Sequence, residues 1–145
     1  MIGSTPQVLM MITVLLVDDD DSLPLLLQHA IKRCGLPIKL HSVGDGEEAV
    51  EYLVHDGATE FPSLVLLDLK MPRMNGFEVL KWKQTQPHLE GLPVVVWSSS
   101  AMEEDKGRAL HLGATSYFVK PMETSGFMEL LKALEESVQS PGAIS

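Results

Sequence analysis

Ile12-Thr-Val-Leu-Leu-Val17 is a run of apolar residues interrupted only by Thr13, and four consecutive aspartates follow it at positions 18–21. A strand that is apolar at successive positions has both faces buried, as in a parallel sheet with helices on each side. Two more apolar runs occur at residues 64–67 and 92–97, and two shorter strand-like segments that contain polar residues occur at 38–43 and 115–119. The sequence therefore predicts a five-stranded sheet that is covered on both faces.

Stretches with apolar residues at helical spacing follow these runs, at residues 23–34, 47–55, 75–84, 102–112 and 127–138. In the first two stretches the predicted inward-facing residues are Leu23, Leu26, Leu27, Ala30, Ile31, Cys34, Ala49, Val50, Leu53 and Val54. Pro24 suits the first turn of its helix, and Gly35 suits the C-terminus. Asn75 and Glu78 form a capping-box pattern. Strands that alternate with helices predict an α/β fold with a doubly wound parallel sheet.

The composition indicates one acidic domain. The chain has 145 residues, with 11 basic and 20 acidic side chains and a net charge of −9. This charge disfavours binding to nucleic acid and to anionic membrane surfaces. The apolar run at residues 8–17 is about half as long as a membrane span, and no Lys or Arg precedes it as in a secretory signal. We therefore expect a cytoplasmic protein with an N-terminal extension at residues 1–11, a domain at 12–138 and a flexible tail at 139–145.

Polar side chains follow four of the five predicted strands. Aspartates 18–21 follow the first strand and Asp68 follows the third. Ser98 follows the fourth strand and Lys120 follows the fifth. Because the carboxyl ends of parallel strands share one edge of a sheet, these groups should lie close together. Clustered carboxylates suit Mg²⁺, and a carboxylate nucleophile with a divalent cation, a lysine and a hydroxyl makes up a phosphoryl-transfer site.

Each of these groups also has a purely structural explanation. Aspartates at a strand–helix junction commonly form a solvated helix cap, and a single aspartate such as Asp68 is also a common cap. Three consecutive serines, as at residues 98–100, are common in loops, and the dipeptide Lys120-Pro121 is common as well. The combination of all four groups in separate strand–helix units favours the phosphoryl-transfer site.

Four longer motifs carry a family resemblance. They are Leu15-Leu-Val-Asp18-Asp19, Leu66-Leu-Asp68-Leu-Lys-Met-Pro72-Arg-Met-Asn-Gly76, Pro93-Val-Val-Val-Trp-Ser98 and Gly113-Ala-Thr-Ser-Tyr117-Phe-Val-Lys120-Pro121. Over residues 12–138 the chain resembles the receiver domain of two-component response regulators. The resemblance implies a flavodoxin-like (βα)5 fold with strand order 2-1-3-4-5.

The resemblance also implies the roles of individual residues. Asp68 would be the phosphoacceptor. The Mg²⁺ ligands would be Asp18, Asp19, Asp68 and the backbone carbonyl of Lys70. Lys120 would pair with the phosphoryl group, Ser98 would move its hydroxyl onto that group, and Tyr117 would turn inward on activation. We also expect the Lys120–Pro121 peptide bond to be cis.

Three residues depart from the family pattern. Ser98 stands where Thr is commoner, which keeps the hydroxyl and removes a methyl group. Ser99 stands where Ala is usual, and Trp97 is unusually bulky for its position. The Asp19–Asp68 interval is a few residues longer than in many receivers, as in stand-alone receivers that work with bacteriophytochromes.

The function implied by the resemblance is that of a single-domain response regulator. Its phosphodonor would be a sensor histidine kinase or a histidine phosphotransfer protein, and its only enzymatic activity would be its own phosphorylation and dephosphorylation at Asp68. The output would be a downstream protein partner, or a homodimer, bound through the fourth helix, fifth strand and fifth helix. A phosphorelay intermediate or phosphate sink is the alternative.

Three other classes of protein fit the residues less well. A haloacid-dehalogenase-like phosphatase would carry a second acid two positions after its nucleophile, where this chain has Lys70. A flavodoxin-like FMN carrier would bind a phosphate beside the first strand, where aspartates 18–21 would repel it. A degenerate receiver that serves only as a scaffold would not need to keep Asp68 and Lys120.

Overall fold

The computed structural model describes residues 11–54, 61–120 and 129–134. The strands are β1 (Ile12–Val17), β2 (Ile38–Val43), β3 (Leu64–Leu67), β4 (Val94–Ser98) and β5 (Ser116–Val119). The α-helices are α1 (Leu23–Cys34), α2 (Gly46–Val54), α3 (Gly76–Gln84) and α4 (Glu103–His111). A short 3₁₀ helix spans Pro87–Leu89, and residues 129–134 are also helical. Three predicted features lie outside the described residues. They are the tail at 139–145, the Lys120–Pro121 peptide bond, and the N-terminal extension except for residue 11.

The five strands form one parallel sheet in the order β2-β1-β3-β4-β5, which confirms the predicted architecture and strand order. One apolar cluster packs α1 and residues 130–134 against the sheet. A second cluster packs α2, α3 and α4 against the opposite face. Along β4, Val95 and Trp97 belong to the first cluster, whereas Val94 and Val96 belong to the second, as the alternation of side chains in a strand requires.

Local signals set the ends of two helices. Helix α1 has the predicted limits, with Pro24 in its first turn and Gly35 in the left-handed conformation at φ 64° after its last turn. At α3, the side chain of Asn75 accepts from the amide of Glu78, whose carboxylate accepts from the amide of Asn75. The predicted capping box is therefore confirmed.

Two predicted core positions are wrong. Leu26 in α1 is 47% exposed and Val54 at the end of α2 is 46% exposed. The buried residues of α1 are Leu23, Leu27, Ala30 and Ile31, a stripe too narrow to include Leu26. The helical spacing predicted a wider buried face than the sheet can cover.

Within the described ranges, no helix is long and apolar enough to cross a membrane.

Candidate functional site

The acidic groups lie at the carboxyl ends of the adjacent strands β1 and β3. The amide of Asp68 donates to the carbonyl of Val17 (2.9 Å), which extends the ladder between these strands by one step. Asp18 and Asp68 are 5% and 4% exposed, whereas Asp19 is exposed. One carboxylate oxygen from each of Asp18, Asp19 and Asp68 lies within 4.8 Å of the other two. Three carboxylate oxygens at this spacing suit a hard cation such as Mg²⁺.

Lys120 follows β5 and reaches into this cluster. Its ammonium nitrogen lies 2.8 Å from Oδ2 of Asp18 and 3.4 Å from Oδ2 of Asp68. Its amide donates to the carbonyl of Ser98 (2.8 Å), so the sheet ladder fixes the start of the side chain. Although burial of the ammonium opposes the effect, the hydrogen bond to Asp18 and the charge of Asp68 raise the pKa of Lys120. The lysine is therefore charged at neutral pH.

The surroundings of Asp68 disfavour its ionised form. Burial and the nearby charge of Asp18 raise its pKa to about 6, and the charge of Lys120 only partly offsets this rise. The amide of Lys70 also donates to Oδ1 of Asp68 across 3.4 Å. The three clustered carboxylates outnumber the single ammonium, so a divalent cation would balance part of their remaining negative charge.

The loop between β3 and α3 folds back over Asp68. The amide of Gly76 donates to the carbonyl of Leu69 (3.0 Å), and a Cβ atom at position 76 would overlap the carbonyl oxygen of Asp68. This close approach requires glycine. The loop also contains Lys70, whose backbone carbonyl is the predicted metal ligand. Hydrogen bonds of the amides of Asp68 and Gly76 hold the two ends of this loop.

An ion pair between the exposed Arg73 and the buried Asp45 ties the same loop to α2. Arg73, in the left-handed region at φ 65°, approaches Oδ2 of Asp45 through Nε at 2.8 Å and Nη2 at 2.6 Å. Asp45 is 1% exposed, and its other oxygen accepts from the amide of Glu48 (2.9 Å), which caps α2. The amide of Gly46 donates to the carbonyl of Met74 (3.1 Å). This pair was not predicted from the sequence, although an aspartate before an acidic first turn is a recognisable helix cap.

The predicted switch residues lie on the β4 and β5 side of the site. Ser98 is fully buried, and its hydroxyl oxygen accepts from the amide of Ser100 (3.1 Å). The hydroxyl of Tyr117 donates to the carbonyl of Ser100 (2.7 Å), so the ring already reaches the loop after β4. Ser98 and Tyr117 therefore meet at Ser100, a residue for which the sequence analysis predicted no role.

Trp97 is fully buried in the cluster formed by α1 and residues 130–134. The ammonium of Lys120 lies 5.5 Å from the centre of its ring. This is within the range of a cation–π contact. The unusually bulky residue at this position thus contacts the functional lysine, which no local pattern in the sequence predicts.

The site opens to solvent on the side of Asp19. A surface groove of about 500 Å³ lies there, and its lining includes Asp19, residues 69–72 of the loop after β3, and Arg108.

Comparisons with known proteins agree with the geometry. A family model described as the response regulator receiver domain matches residues 14–134. The chain is 34% identical over 125 residues to the probable methanogenesis regulatory protein FilR2 of Methanothrix harundinacea, covering 85% of this chain and 79% of FilR2. Three further curated relatives are longer, and the chain spans about half of their length.

Solved structures are similar as well. The phosphorylated cyanobacterial phytochrome response regulator RcpA matches with a TM-score of 0.78 and 33% identity, covering 89% of this chain and 94% of that one. The Mn²⁺-bound form of response regulator Rcp1, a Synechocystis protein, matches with a TM-score of 0.73 and 30% identity, covering 86% and 91%. The chain therefore belongs to the response regulator receiver domain family.

Proposed function

We propose that this chain accepts a phosphoryl group on Asp68 in a Mg²⁺-dependent step and passes a signal to a protein partner. The donor would be a sensor histidine kinase or a histidine phosphotransfer protein. The observation that carries the proposal is a cluster of three carboxylates at the carboxyl edge of the sheet, two of which, those of Asp18 and Asp68, pair with the ammonium of Lys120. The similarity to RcpA makes a phytochrome-type kinase the first donor to test.

The residues around Asp68 suit this reaction. The carboxylates of Asp18, Asp19 and Asp68, with the carbonyl of Lys70, would hold Mg²⁺, and the Mn²⁺-bound form of Rcp1 supports a divalent cation. When bound, the cation supplies positive charge against the phosphoryl oxygens. Lys120 adds a second positive charge to the same oxygens.

The transfer itself forms one bond and breaks one. A carboxylate oxygen of Asp68 bonds to phosphorus while the phosphorus–nitrogen bond of the donor phosphohistidine breaks, and the imidazole nitrogen keeps the electron pair. Asp68 must be ionised to attack. Burial and Asp18 raise its pKa to about 6, which is still below neutral pH, so the ionised form is favoured at pH 7.

The output surface would include α4, β5 and the helix that contains residues 129–134. Three partly exposed apolar residues lie on this side: Leu110, Phe118 and Val119. Residues 102–138 contain seven acidic and four basic side chains, a net charge of −3, which does not suit nucleic acid or an anionic membrane. A protein partner, or a second copy of this chain in a homodimer, fits these features, and the chain would act in the cytoplasm.

Phosphorylation of the full chain tests the assignment. With acetyl phosphate and Mg²⁺, intact-mass spectrometry should show the gain of one phosphoryl group, which EDTA suppresses. Asp68→Asn should abolish the gain, whereas Asp21→Asn, at an exposed aspartate of the same rim, should keep it. Full labelling of Asp68→Asn would falsify the assignment. If the phosphorylated protein shows no change at α4 or β5, it is a phosphate sink or relay intermediate instead of a switch.

A further inference from the structure

The loop after β3 contains a strained turn at Arg73. The amide of Met74 donates to the carbonyl of Pro72 across 2.7 Å, which closes a three-residue turn with Arg73 at its centre. Arg73 has a φ of 65°, and no other residue except glycine has a positive φ within the described ranges. Three-residue turns with a positive central φ are rare and strained. A strained conformation persists only where surrounding contacts hold it, and functional sites are where such conformations cluster.

The side chain of Arg73 supplies a contact that holds its own backbone. Its Nε and Nη2 atoms lie 2.8 Å and 2.6 Å from Oδ2 of Asp45. That carboxylate is buried, and its Oδ1 atom accepts from the amide of Glu48 in the first turn of α2. Because a buried carboxylate that loses its cation is strongly unfavourable, the ion pair opposes any relaxation of the turn, although the arginine itself is largely exposed.

The strained turn lies next to the predicted carbonyl ligand of the metal, that of Lys70. The amide of Gly46 donates to the carbonyl of Met74 (3.1 Å), and a Cβ atom at position 46 would overlap that carbonyl. This hydrogen bond and the ion pair both link residues 72–74 to the start of α2. A shift of the turn away from α2 would therefore displace the peptide group of Lys70 relative to the carboxylate of Asp68.

We infer that Arg73, through its pair with Asp45, is a positioning residue for the metal site, and that the start of α2 responds to the cation in return. This inference rests on the proposed function, in which Mg²⁺ binds beside Asp68 and takes the carbonyl of Lys70 as a ligand. The response of α2 follows because coupling between two sites is reciprocal. The sign of the effect separates positioning from charge: a positive side chain acting only through its charge weakens cation binding, whereas a contact that orients a ligand strengthens it.

Isothermal titration calorimetry of the full chain with Mg²⁺ tests the positioning role. Arg73→Ala should weaken Mg²⁺ binding by about tenfold, the lower end for residues that orient a metal ligand. Asp45→Asn keeps an oxygen that can cap α2 but removes the charge, so it should weaken binding similarly, and the double variant should lose no more than either single variant. Arg33→Ala, at an exposed arginine of α1, changes the net charge equally and should keep the affinity within about twofold.

Hydrogen exchange with and without Mg²⁺ tests the response of α2. The amides of Gly46 and Glu48 report on it, because they donate to the carbonyl of Met74 and to the carboxylate of Asp45. In the wild type, saturating Mg²⁺ should slow exchange at residues 46–48. In Arg73→Ala, at a Mg²⁺ concentration that saturates the variant, this slowing should be lost.

Ile31→Val provides a control for general loss of stability. Ile31 is buried in the cluster on the opposite face of the sheet, so this substitution weakens the core without touching the loop. It should keep both the affinity and the exchange response, and an equal loss of affinity there would overturn the inference. Unchanged or tighter binding in Arg73→Ala, or an undiminished response at 46–48, overturns it as well and leaves the proposed function intact. A wild type that binds no Mg²⁺ overturns the proposed function itself, which is visible without any variant.

Discussion

The ammonium of Lys120 lies 5.5 Å from the centre of the Trp97 ring, so a fully buried core residue contacts the charged centre of the site. The chain contains only one other tryptophan, Trp82. Substitution of Trp82 would therefore leave a single indole that senses the lysine directly.

The first prediction uses Trp97 as a reporter. In Trp82→Phe, titration with Mg²⁺ should produce a saturable change in tryptophan emission, because a cation among the carboxylates displaces the ammonium that lies over the ring. Adding Lys120→Ala should remove most of that change while Mg²⁺ still binds, as calorimetry would show. An emission change of equal size in both proteins would mean that the indole responds to something other than the lysine.

The second prediction concerns the competition between Lys120 and the metal. Lys120→Ala should tighten Mg²⁺ binding by about threefold or more. The ammonium, 2.8 Å from Asp18, partly neutralises the carboxylates that would bind the cation and repels the cation itself. Isothermal titration calorimetry measures the affinity. Lys81→Ala, at an exposed lysine on α3, serves as the control and should change it little. Severalfold weaker binding in Lys120→Ala would show that the lysine supports the metal instead of competing with it.

The third prediction concerns the pH dependence of stability in EDTA. Because the pKa of Asp68 is raised to about 6, the native state binds its proton more tightly than the unfolded chain does. Because of this group, the free energy of unfolding should therefore decrease as the pH rises from about 4 to about 6. At neutral pH, Asp68→Asn should be more stable than wild type by about 1–3 kcal/mol. Urea denaturation across this range measures both. A difference between the two proteins that does not vary with pH would contradict the pKa shift.

The fourth prediction compares two glycines. Gly76→Ala should destabilise the protein by about 2–3 kcal/mol and weaken Mg²⁺ binding, because the added methyl group overlaps the carbonyl of Asp68. Gly107→Ala, in the middle of α4 with open space around it, should stabilise the protein by about 0.5–1 kcal/mol. Thermal and urea unfolding distinguish the two. Equal effects at both positions would show that the loop after β3 can move away from Asp68.

Features that depend on neighbours within one helical turn could be predicted from the sequence. Pro24 and Gly35 define the limits of α1, and Asn75 with Glu78 defines the start of α3. The edge at which the polar groups meet was also predictable, because it follows from the parallel order of the strands. Leu26 was wrongly predicted as core, since periodicity gives the direction of a helix face but not how much of it the sheet covers.

Contacts between distant positions could not be predicted in this way. Arg73 and Asp45 are 28 residues apart, and their pairing requires an arginine in a left-handed conformation in one loop opposite a helix cap in another. The contact of Trp97 with Lys120 likewise depends on two neighbouring strands and their register. Nothing in the run of three serines at residues 98–100 separates Ser100 from its neighbours, because its contacts are hydrogen bonds to residues of α4 and β5.

The order of Trp97 and Ser98 along β4 limits which changes of chain length this protein can tolerate. Consecutive side chains in a strand point to opposite faces, so one inserted or deleted residue within β4 would exchange the faces on which the hydroxyl of Ser98 and the indole of Trp97 lie. The same single-codon change in the connection between α3 and β4 would leave both side chains in place. Length variation among natural and engineered versions of this chain should therefore be concentrated in its connections and excluded from this strand.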